Sequence, residues 1–160
     1  MAKKYRVGAF VRFNNAVMKL LLRAGVPIGT FAILTVRGRK SGRRIQVPLV
    51  VFPKDEKRYL VAAYGIVNWV RNIRAAGGEA TLTRGRHTEK IAAVELPIEQ
   101  AAPILRDVVQ TGAPNVPKLL VNAYRRFLVL PYLDVELNSP LHEFERAAES
   151  HRVFLVRTAA

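Results

Sequence analysis

The chain has 160 residues, half of them hydrophobic, which is enough for one well-buried core and short for two. Its 26 lysines and arginines outnumber its 12 acidic residues, and the formal net charge of +14 favours anionic partners such as a polyanionic cofactor, nucleic acid or acidic lipid. The absence of cysteine excludes disulfides, thiolate metal sites and a cysteine nucleophile, and it agrees with a cytoplasmic location. We expect a single domain over residues 1–160.

The N-terminal segment, residues 1–26, is predicted to contain an amphipathic helix from about Val7 to Ala24. Apolar side chains recur there at three- and four-residue spacings, which is the helical pattern: Phe10, Phe13, Val17, Leu20, Leu21 and Ala24. Charged residues such as Lys19 interrupt the apolar run, which argues against a targeting signal or a membrane-spanning helix. The apolar face has two open interpretations, packing on its own domain or peripheral docking on an anionic membrane.

The segment from Phe31 to Leu49 predicts a β-hairpin. Ala32 to Val36 favours a buried strand, and the alternating apolar residues from Ile45 to Val51 favour a second one. Two glycines permit a tight connection, which also carries one serine and five cations: Arg37, Gly38, Arg39, Lys40, Ser41, Gly42, Arg43 and Arg44. Backbone N–H groups freed by such a turn, with cations around them, suit phosphate or carboxylate. The loop is therefore predicted to bind an anion.

Three more strand segments and one short helix are predicted before residue 97. The third strand covers Arg58–Tyr64, and a second hairpin joins Glu79–Arg84 to Arg86–Leu96. Asn68 is expected to cap a helix over Trp69–Ala76, which two glycines end.

The second half, residues 97–160, is mainly helical in pattern. Helical spacing runs from Ile98 to Gly112, although Pro103 indicates that the regular helix begins late. Pro117 and the Ser139–Pro140 pair open two further helices, and a last strand covers Arg152–Arg157. Hairpins first, then helices and a returning strand predict an α+β fold, whose sheet of about six antiparallel strands curls into a small β-barrel with flanking helices.

Common catalytic and metal-binding motifs are missing from the sequence. His87, His142 and His151 lie on separate predicted elements without any metal-ligand spacing, so no metal site is expected. There is no GxSxG motif, and the GRKSG segment lacks the spacing and the strand-to-helix context of a P-loop. These absences disfavour hydrolysis and nucleotide-driven phosphoryl transfer.

Trp69 and Asn72 place an aromatic ring and an amide on the same side of one short predicted helix. Such a pair suits a planar heterocycle with polar edges. The alternative is a tryptophan that packs in the core and an asparagine that binds a loop, and aromatic residues at helical spacing mostly pack. Spacing alone leaves both interpretations open.

A resemblance to a known family rests on four segments in this order: LTVRGRKSGRRIQVPL, YLVAAYG, NWVRNIRAAGG and TLTRGRHTEKIAAVEL. The chain resembles the deazaflavin-dependent nitroreductase family of actinobacterial oxidoreductases over roughly Phe31 to Leu96. The resemblance implies a split β-barrel of the FMN-binding, pyridoxamine-phosphate-oxidase-like type. It also implies that residues 31–96 form a barrel core that binds coenzyme F-420, a deazaflavin with a phosphodiester and an oligoglutamate tail.

The same resemblance implies positions for the cofactor. Loop residues would hold the phosphate and the acidic tail, in agreement with the anion site predicted above: Gly38, Arg39, Lys40, Ser41 and Gly42, with Arg43 and Arg44 beside them. Pro48, Ala63 and Tyr64 would line the deazaflavin, and Trp69 and Asn72 would lie on the helix beneath it.

The reaction that this resemblance implies is hydride transfer from reduced F-420 to a quinone, an activated enone or a nitro compound. Three tyrosines are the candidates to protonate the acceptor: Tyr64, Tyr124 and Tyr132.

Two alternatives of other classes remain at this stage. The basic RGRKSGRR segment is also typical of a nucleic-acid-binding module, although the aromatic residues lie inside apolar runs and no nucleic-acid motif is present. The second alternative is a non-catalytic barrel that carries FMN, haem or a lipid.

Overall fold

Six antiparallel strands dominate the computed structural model, which describes residues 9–25, 30–112 and 117–159. The strands are β1 (Phe31–Arg37), β2 (Arg44–Lys54), β3 (Lys57–Val61), β4 (Glu79–Arg84), β5 (His87–Glu95) and β6 (Val153–Thr158). They close into a barrel in the order β1–β2–β3–β6–β5–β4. The predicted α+β class and six-stranded barrel are thereby confirmed. The barrel extends beyond residues 31–96, because β6 lies between β3 and β5.

Helices flank the barrel and connect its strands. They are α1 (Ala9–Arg23), α2 (Asn68–Ala75), α3 (Ile98–Thr111), α4 (Lys118–Tyr124), α5 (Leu130–Leu133) and α6 (Leu141–Ala148). A π-helical turn, Arg125–Val129, joins α4 to α5. The predicted N-terminal helix is present, with its described part beginning at Ala9.

Side-chain alternation along the strands divides the core into two clusters. Tyr59 and Val153 pack with the helices α3 and α6, whereas their neighbours Leu60 and Phe154 pack with α2 and the other strands. Successive strand residues face opposite sides of a sheet, so the helical cluster covers the outer face of β3 and β6. The second cluster joins β1, β3, β4, β5, β6 and α2, and it places α2 against the barrel strands beside the β1–β2 loop.

Three local predictions differ from the structure. The helix α3 begins at Ile98 and contains Pro103, because burial of neighbouring residues such as Leu105 outweighs the hydrogen bond that proline cannot make. The strand β3 ends at Val61, and a turn follows in which the Gly65 N–H donates to the Ala62 carbonyl over 3.0 Å. Finally, Asn68 was expected to cap α2 but is its first helical residue, and the helix starts without a hydrogen bond from a side-chain cap.

Candidate functional site

The β1–β2 loop, residues 38–43, is held in shape by its own main chain. The Gly38 N–H donates to the Arg43 carbonyl and the Gly42 N–H donates to the Gly38 carbonyl, each over 2.8 Å. Gly42 has φ of +69°, a left-handed conformation that glycine adopts without strain. The Arg43 N–H donates to Ser41 Oγ over 3.3 Å. These bonds hold the turn from within the protein.

The backbone amides of this loop are largely used inside the protein. The N–H groups of Gly38, Arg39, Gly42 and Arg43 each donate to a protein acceptor. The expectation that freed N–H groups form the anion site therefore fails for these four residues. Attraction of an anion depends instead on the side chains.

Asn72 on α2 holds the loop through hydrogen bonds to Arg39. It is only 2% exposed, and its Oδ1 accepts from the Arg39 N–H over 3.2 Å and from Arg39 Nη1 over 2.8 Å. Asn68, one helical turn earlier, accepts from Arg39 Nη2 over 3.4 Å. Of the two interpretations that the sequence left open, the structure places Asn72 as an amide that binds the loop.

The other cations of the loop region face solvent. Arg37, Lys40, Arg43 and Arg44 are all exposed, and no acidic residue occurs between positions 37 and 44. Guanidinium and ammonium groups form short, charge-assisted hydrogen bonds with phosphate and carboxylate oxygens. The site therefore has the donor set that a phosphodiester or a chain of carboxylates requires.

The strand β2 continues from this loop along an open edge, meaning one without a second strand partner; the helix α1 contacts this strand, and Arg23 donates to Gln46 Oε1. β3 pairs only with Val51–Lys54, so the described strands give Arg44–Val50 a partner, β1, on one side only. Pro48 lies half-buried in this edge, opposite Ile33 of β1. Proline is accommodated at such an edge because it has no N–H to donate to a further strand.

The aromatic candidates have defined contacts. The Trp69 ring lies 5.6 Å from the ring of Phe154, centroid to centroid, so it packs on the barrel core while staying half-buried. Ala63 and Tyr64 lie half-buried in the turn after β3. Tyr64 contacts Tyr132 edge to face.

Tyr124 ends α4, and its side chain lies outside the described part of the structure. The structure thus brings two of the three candidate tyrosines together.

His151 is a buried group near this tyrosine pair. Its Nδ1 lies 3.0 Å from both the Ala147 carbonyl oxygen and Ser150 Oγ. Burial lowers the pKa of His151, and hydrogen bonds to the main chain of Ala147 and of Tyr132 oppose that shift. No sequence pattern indicated this contact with Tyr132. By contrast, the four-residue spacing of Asn68 and Asn72 was a signal that both amides face the same neighbour.

Two negative findings concern the described ranges. Their His, Asp and Glu residues form no group of three that could hold a metal ion. None of their helices has the length and apolar character needed to cross a bilayer.

Comparisons with known proteins agree with this architecture. Residues 7–123 match the family model of the F420-H2-dependent quinone reductases. A solved F420-H2-dependent reductase (FDR-A) is 22% identical, with 80% of this chain and 94% of that chain covered and a TM-score of 0.45. A protein described as a domain-swapped dimer is 21% identical, with coverages of 92% and 97% and a TM-score of 0.50, and it shares the fold.

A pyridoxamine 5′-phosphate oxidase-related, FMN-binding protein from Nostoc punctiforme is 9% identical, with coverages of 96% and 83% and a TM-score of 0.47. None of the curated proteins matches the sequence.

Proposed function

Because this chain belongs to the F420-H2-dependent quinone reductase family, it is an oxidoreductase that uses coenzyme F-420, and we propose that its β1–β2 loop binds the acidic tail of that cofactor. The family also assigns a quinone as the acceptor class. This assignment replaces the nucleic-acid-binding and carrier alternatives considered from the sequence.

The observation that carries the proposal is the loop itself. Lys40, Arg43 and Arg44 are exposed on a turn that internal hydrogen bonds already fix. A preformed turn loses little conformational entropy when a ligand binds, so the attraction between its cations and the tail carboxylates is retained as affinity. A phosphodiester and several glutamates fit this donor set by charge and by geometry.

We place the deazaflavin ring along the open edge of β2, against Pro48 and the turn of Ala63 and Tyr64. This edge begins at Arg44, where the loop ends, so a ligand held by the loop reaches it without crossing the barrel. Trp69 supports this region from α2 through its contact with Phe154.

When bound, reduced F-420 supplies the hydride. The protein's part is to orient the two reactants, to exclude water and to supply a proton. Reduction of a quinone to a hydroquinone monoanion adds one hydride, and protonation of that anion completes the reaction. Tyr64 or Tyr132 is the proposed proton donor, because the two hydroxyl-bearing rings lie together beside the turn that follows β3.

Cofactor binding is tested by titrating the fluorescence of F-420 with the purified protein. The double variant Lys40→Glu/Arg43→Glu should weaken binding at least about tenfold at low salt, because two favourable charge contacts become repulsive. The matched control is Lys57→Glu/Arg157→Glu, which makes the same charge change on exposed residues at the far ends of β3 and β6. Equal affinity of the loop variant and the control contradicts the proposed tail site.

We further propose that the enzyme works in the cytoplasm and that α1 docks it on an anionic membrane face. Leu20 is 68% exposed, and Val17 and Leu21 are partly exposed on the same face of the helix. Arg12 and Arg23 are exposed on that helix as well. An apolar face with cations beside it is suited to the boundary between lipid headgroups and acyl chains.

Sedimentation with anionic vesicles tests this docking. Leu20→Gln should lower the bound fraction several-fold, since burial of one leucine side chain is worth roughly 1.5–3 kcal/mol. Leu141→Gln, at a 37% exposed leucine of α6, is the control. Equal binding by both variants contradicts docking through α1.

A further inference from the structure

We propose that Asn72 and Arg39 are positioning residues that fix the β1–β2 loop for the cofactor tail, and that they make the site selective for deazaflavins that carry a tail. This inference rests on the proposed function. The resemblance placed Asn72 beneath the deazaflavin and Arg39 at the phosphate and tail; here Asn72 binds the loop, and Arg39 binds α2.

The first step is the hydrogen-bonding capacity of Asn72. A side-chain amide oxygen has two lone pairs, and here Arg39 fills both, one through its main-chain N–H and one through Nη1. A ligand could therefore donate to this oxygen only by displacing Arg39. Because Asn72 is 2% exposed, loss of that partner would also leave a buried polar atom unsatisfied.

The second step concerns the hydrogen bonds that the Arg39 guanidinium donates. Nη1 donates to Asn72 and Nη2 to Asn68, so the fork of this side chain is directed at α2. Together with the main-chain bond to Asn72, it fastens the start of the loop to a helix of the barrel core. Lys40, Arg43 and Arg44 remain exposed.

The third step is the charge of the two partners. Asn68 and Asn72 are neutral amides, so they orient the guanidinium without cancelling its charge. A carboxylate at either position would hold Arg39 as firmly and would remove one unit of positive charge from the loop. The amides therefore keep the whole loop cationic while they fix its shape, which is what binding of a polyanion requires.

Selectivity for cofactors with a tail follows because the loop and the β2 edge are assigned to different parts of the cofactor. The loop is assigned to the tail and the β2 edge to the ring, so disturbing the loop should affect only cofactors that have a tail. Asn72→Asp keeps the size and the acceptor atoms of the side chain, adds a negative charge and tests the electrostatic part. Arg39→Lys keeps the charge, lacks the fork and tests the geometric part.

The experiment compares two ligands by fluorescence titration of the full chain: F-420, and the same deazaflavin without phosphate and glutamates. For Asn72→Asp and Arg39→Lys we expect affinity for F-420 to fall about tenfold and affinity for the tailless compound to stay within about twofold of wild type. A purely structural defect would lower both affinities together. Equal losses for the two ligands, or no loss for either, overturn the inference.

Two further variants keep the result decisive. Asn72→Ala should show the same selectivity, and if it does not fold, Arg39→Lys, which keeps the charge but lacks the fork, decides the positioning role. Lys40→Glu/Arg43→Glu tests the underlying tail site. If that double variant loses affinity for F-420 and the Asn72 and Arg39 variants do not, the positioning role is wrong and the proposed function stands. If the double variant binds F-420 normally, the tail site itself is wrong.

Discussion

The rings of Tyr64 and Tyr132 meet edge to face, with centroids 5.1 Å apart and planes at 88°. Tyr64 lies in the turn after β3 and Tyr132 in α5, so the contact joins the barrel to the helical half of the chain. Aromatic pairs of this geometry contribute roughly 0.5–1.5 kcal/mol beyond their buried area. The contact holds two candidate proton donors at one place on the barrel.

Replacement of each tyrosine by phenylalanine separates packing from proton transfer. Tyr64→Phe and Tyr132→Phe keep the ring contact, so we expect small changes in thermal stability and in F-420 affinity. The variant that lacks the donor should lose about 100-fold in kcat for menadione, within the range of general acid catalysis. Tyr59→Phe, in the helical core cluster, is the control. Wild-type kcat in both site variants would exclude these two hydroxyls as donors.

The glycine pair after α2 offers a matched comparison of backbone strain. Gly77 and Gly78 both have positive φ, +63° and +86°. A Cβ at Gly77 would meet nothing within 4 Å, whereas one at Gly78 would clash with the Ala93 carbonyl oxygen. Gly77→Ala should therefore cost about 1 kcal/mol, from the left-handed conformation alone. Gly78→Ala should cost roughly 3 kcal/mol, because strand β5 must also move.

Urea unfolding of the two variants measures this difference. The comparison needs no other control, since the residues are adjacent and the substitution is the same. Equal stability of the two variants would mean that the Gly78–Ala93 contact relaxes freely.

The lowered pKa of Glu95 predicts that part of the free energy of unfolding is lost at low pH. Hydrogen bonds from Arg74, over 2.9 and 2.7 Å, lower the pKa of Glu95, and Arg152 lowers it further. A depressed carboxylate pKa stabilises the fold above the ordinary value of 4.5, and this stability is lost as the pH falls through the folded pKa. Glu95→Gln should lose about 1–2 kcal/mol at pH 7, and the difference from wild type should shrink as the pH falls through the lowered pKa of Glu95.

Chemical unfolding at pH 7 and at lower pH measures that difference. Glu99→Gln, at an exposed residue of α3, is the control for removal of one negative charge. A constant gap between Glu95→Gln and wild type across this range contradicts the assignment.

His151 predicts a second pH dependence, at higher pH. Burial lowers its pKa below the ordinary 6.5. The unfolded imidazole therefore takes up a proton before the folded one, and stability decreases as the pH falls from about 7 toward 5. The slope from one such group is at most about 1.4 kcal/mol per pH unit. His151→Gln should flatten this part of the profile, and His142→Gln, at an exposed residue, should leave it unchanged.

The sequence was a good guide wherever the signal was local. Alternation of apolar residues from Ile45 to Val51 predicted β2, and the glycines around the β1–β2 loop predicted its turn. Pro103 misled because the burial of α3 on α6 outweighs the roughly 3 kcal/mol that proline costs inside a helix. The loop has exposed cations, and four of the backbone N–H groups that were expected to be free donate inside the protein; binding of an anion there stays a prediction.

Contacts between residues far apart in the chain could not be predicted from the residue spacing within a single helix or strand. Arg39 is exposed like Lys40, and only the folded position of α2 brings Asn72 Oδ1 within 2.8 Å of Arg39 Nη1. The pairing of Tyr64 with Tyr132 likewise depends on how α5 lies against the turn after β3. Periodicity in the sequence describes a single helix or strand. These contacts depend on how two elements pack against each other.

The position of β6 has a consequence for biosynthesis. β3 and β5 both pair with this strand, which a ribosome translates after every other strand of the sheet. Until Val153–Thr158 has left the exit tunnel, β3 and β5 each keep an unpaired edge and the barrel cannot close. The nascent chain therefore exposes two unpaired strand edges until β6 is inserted, and the barrel that carries the site is complete only after that step.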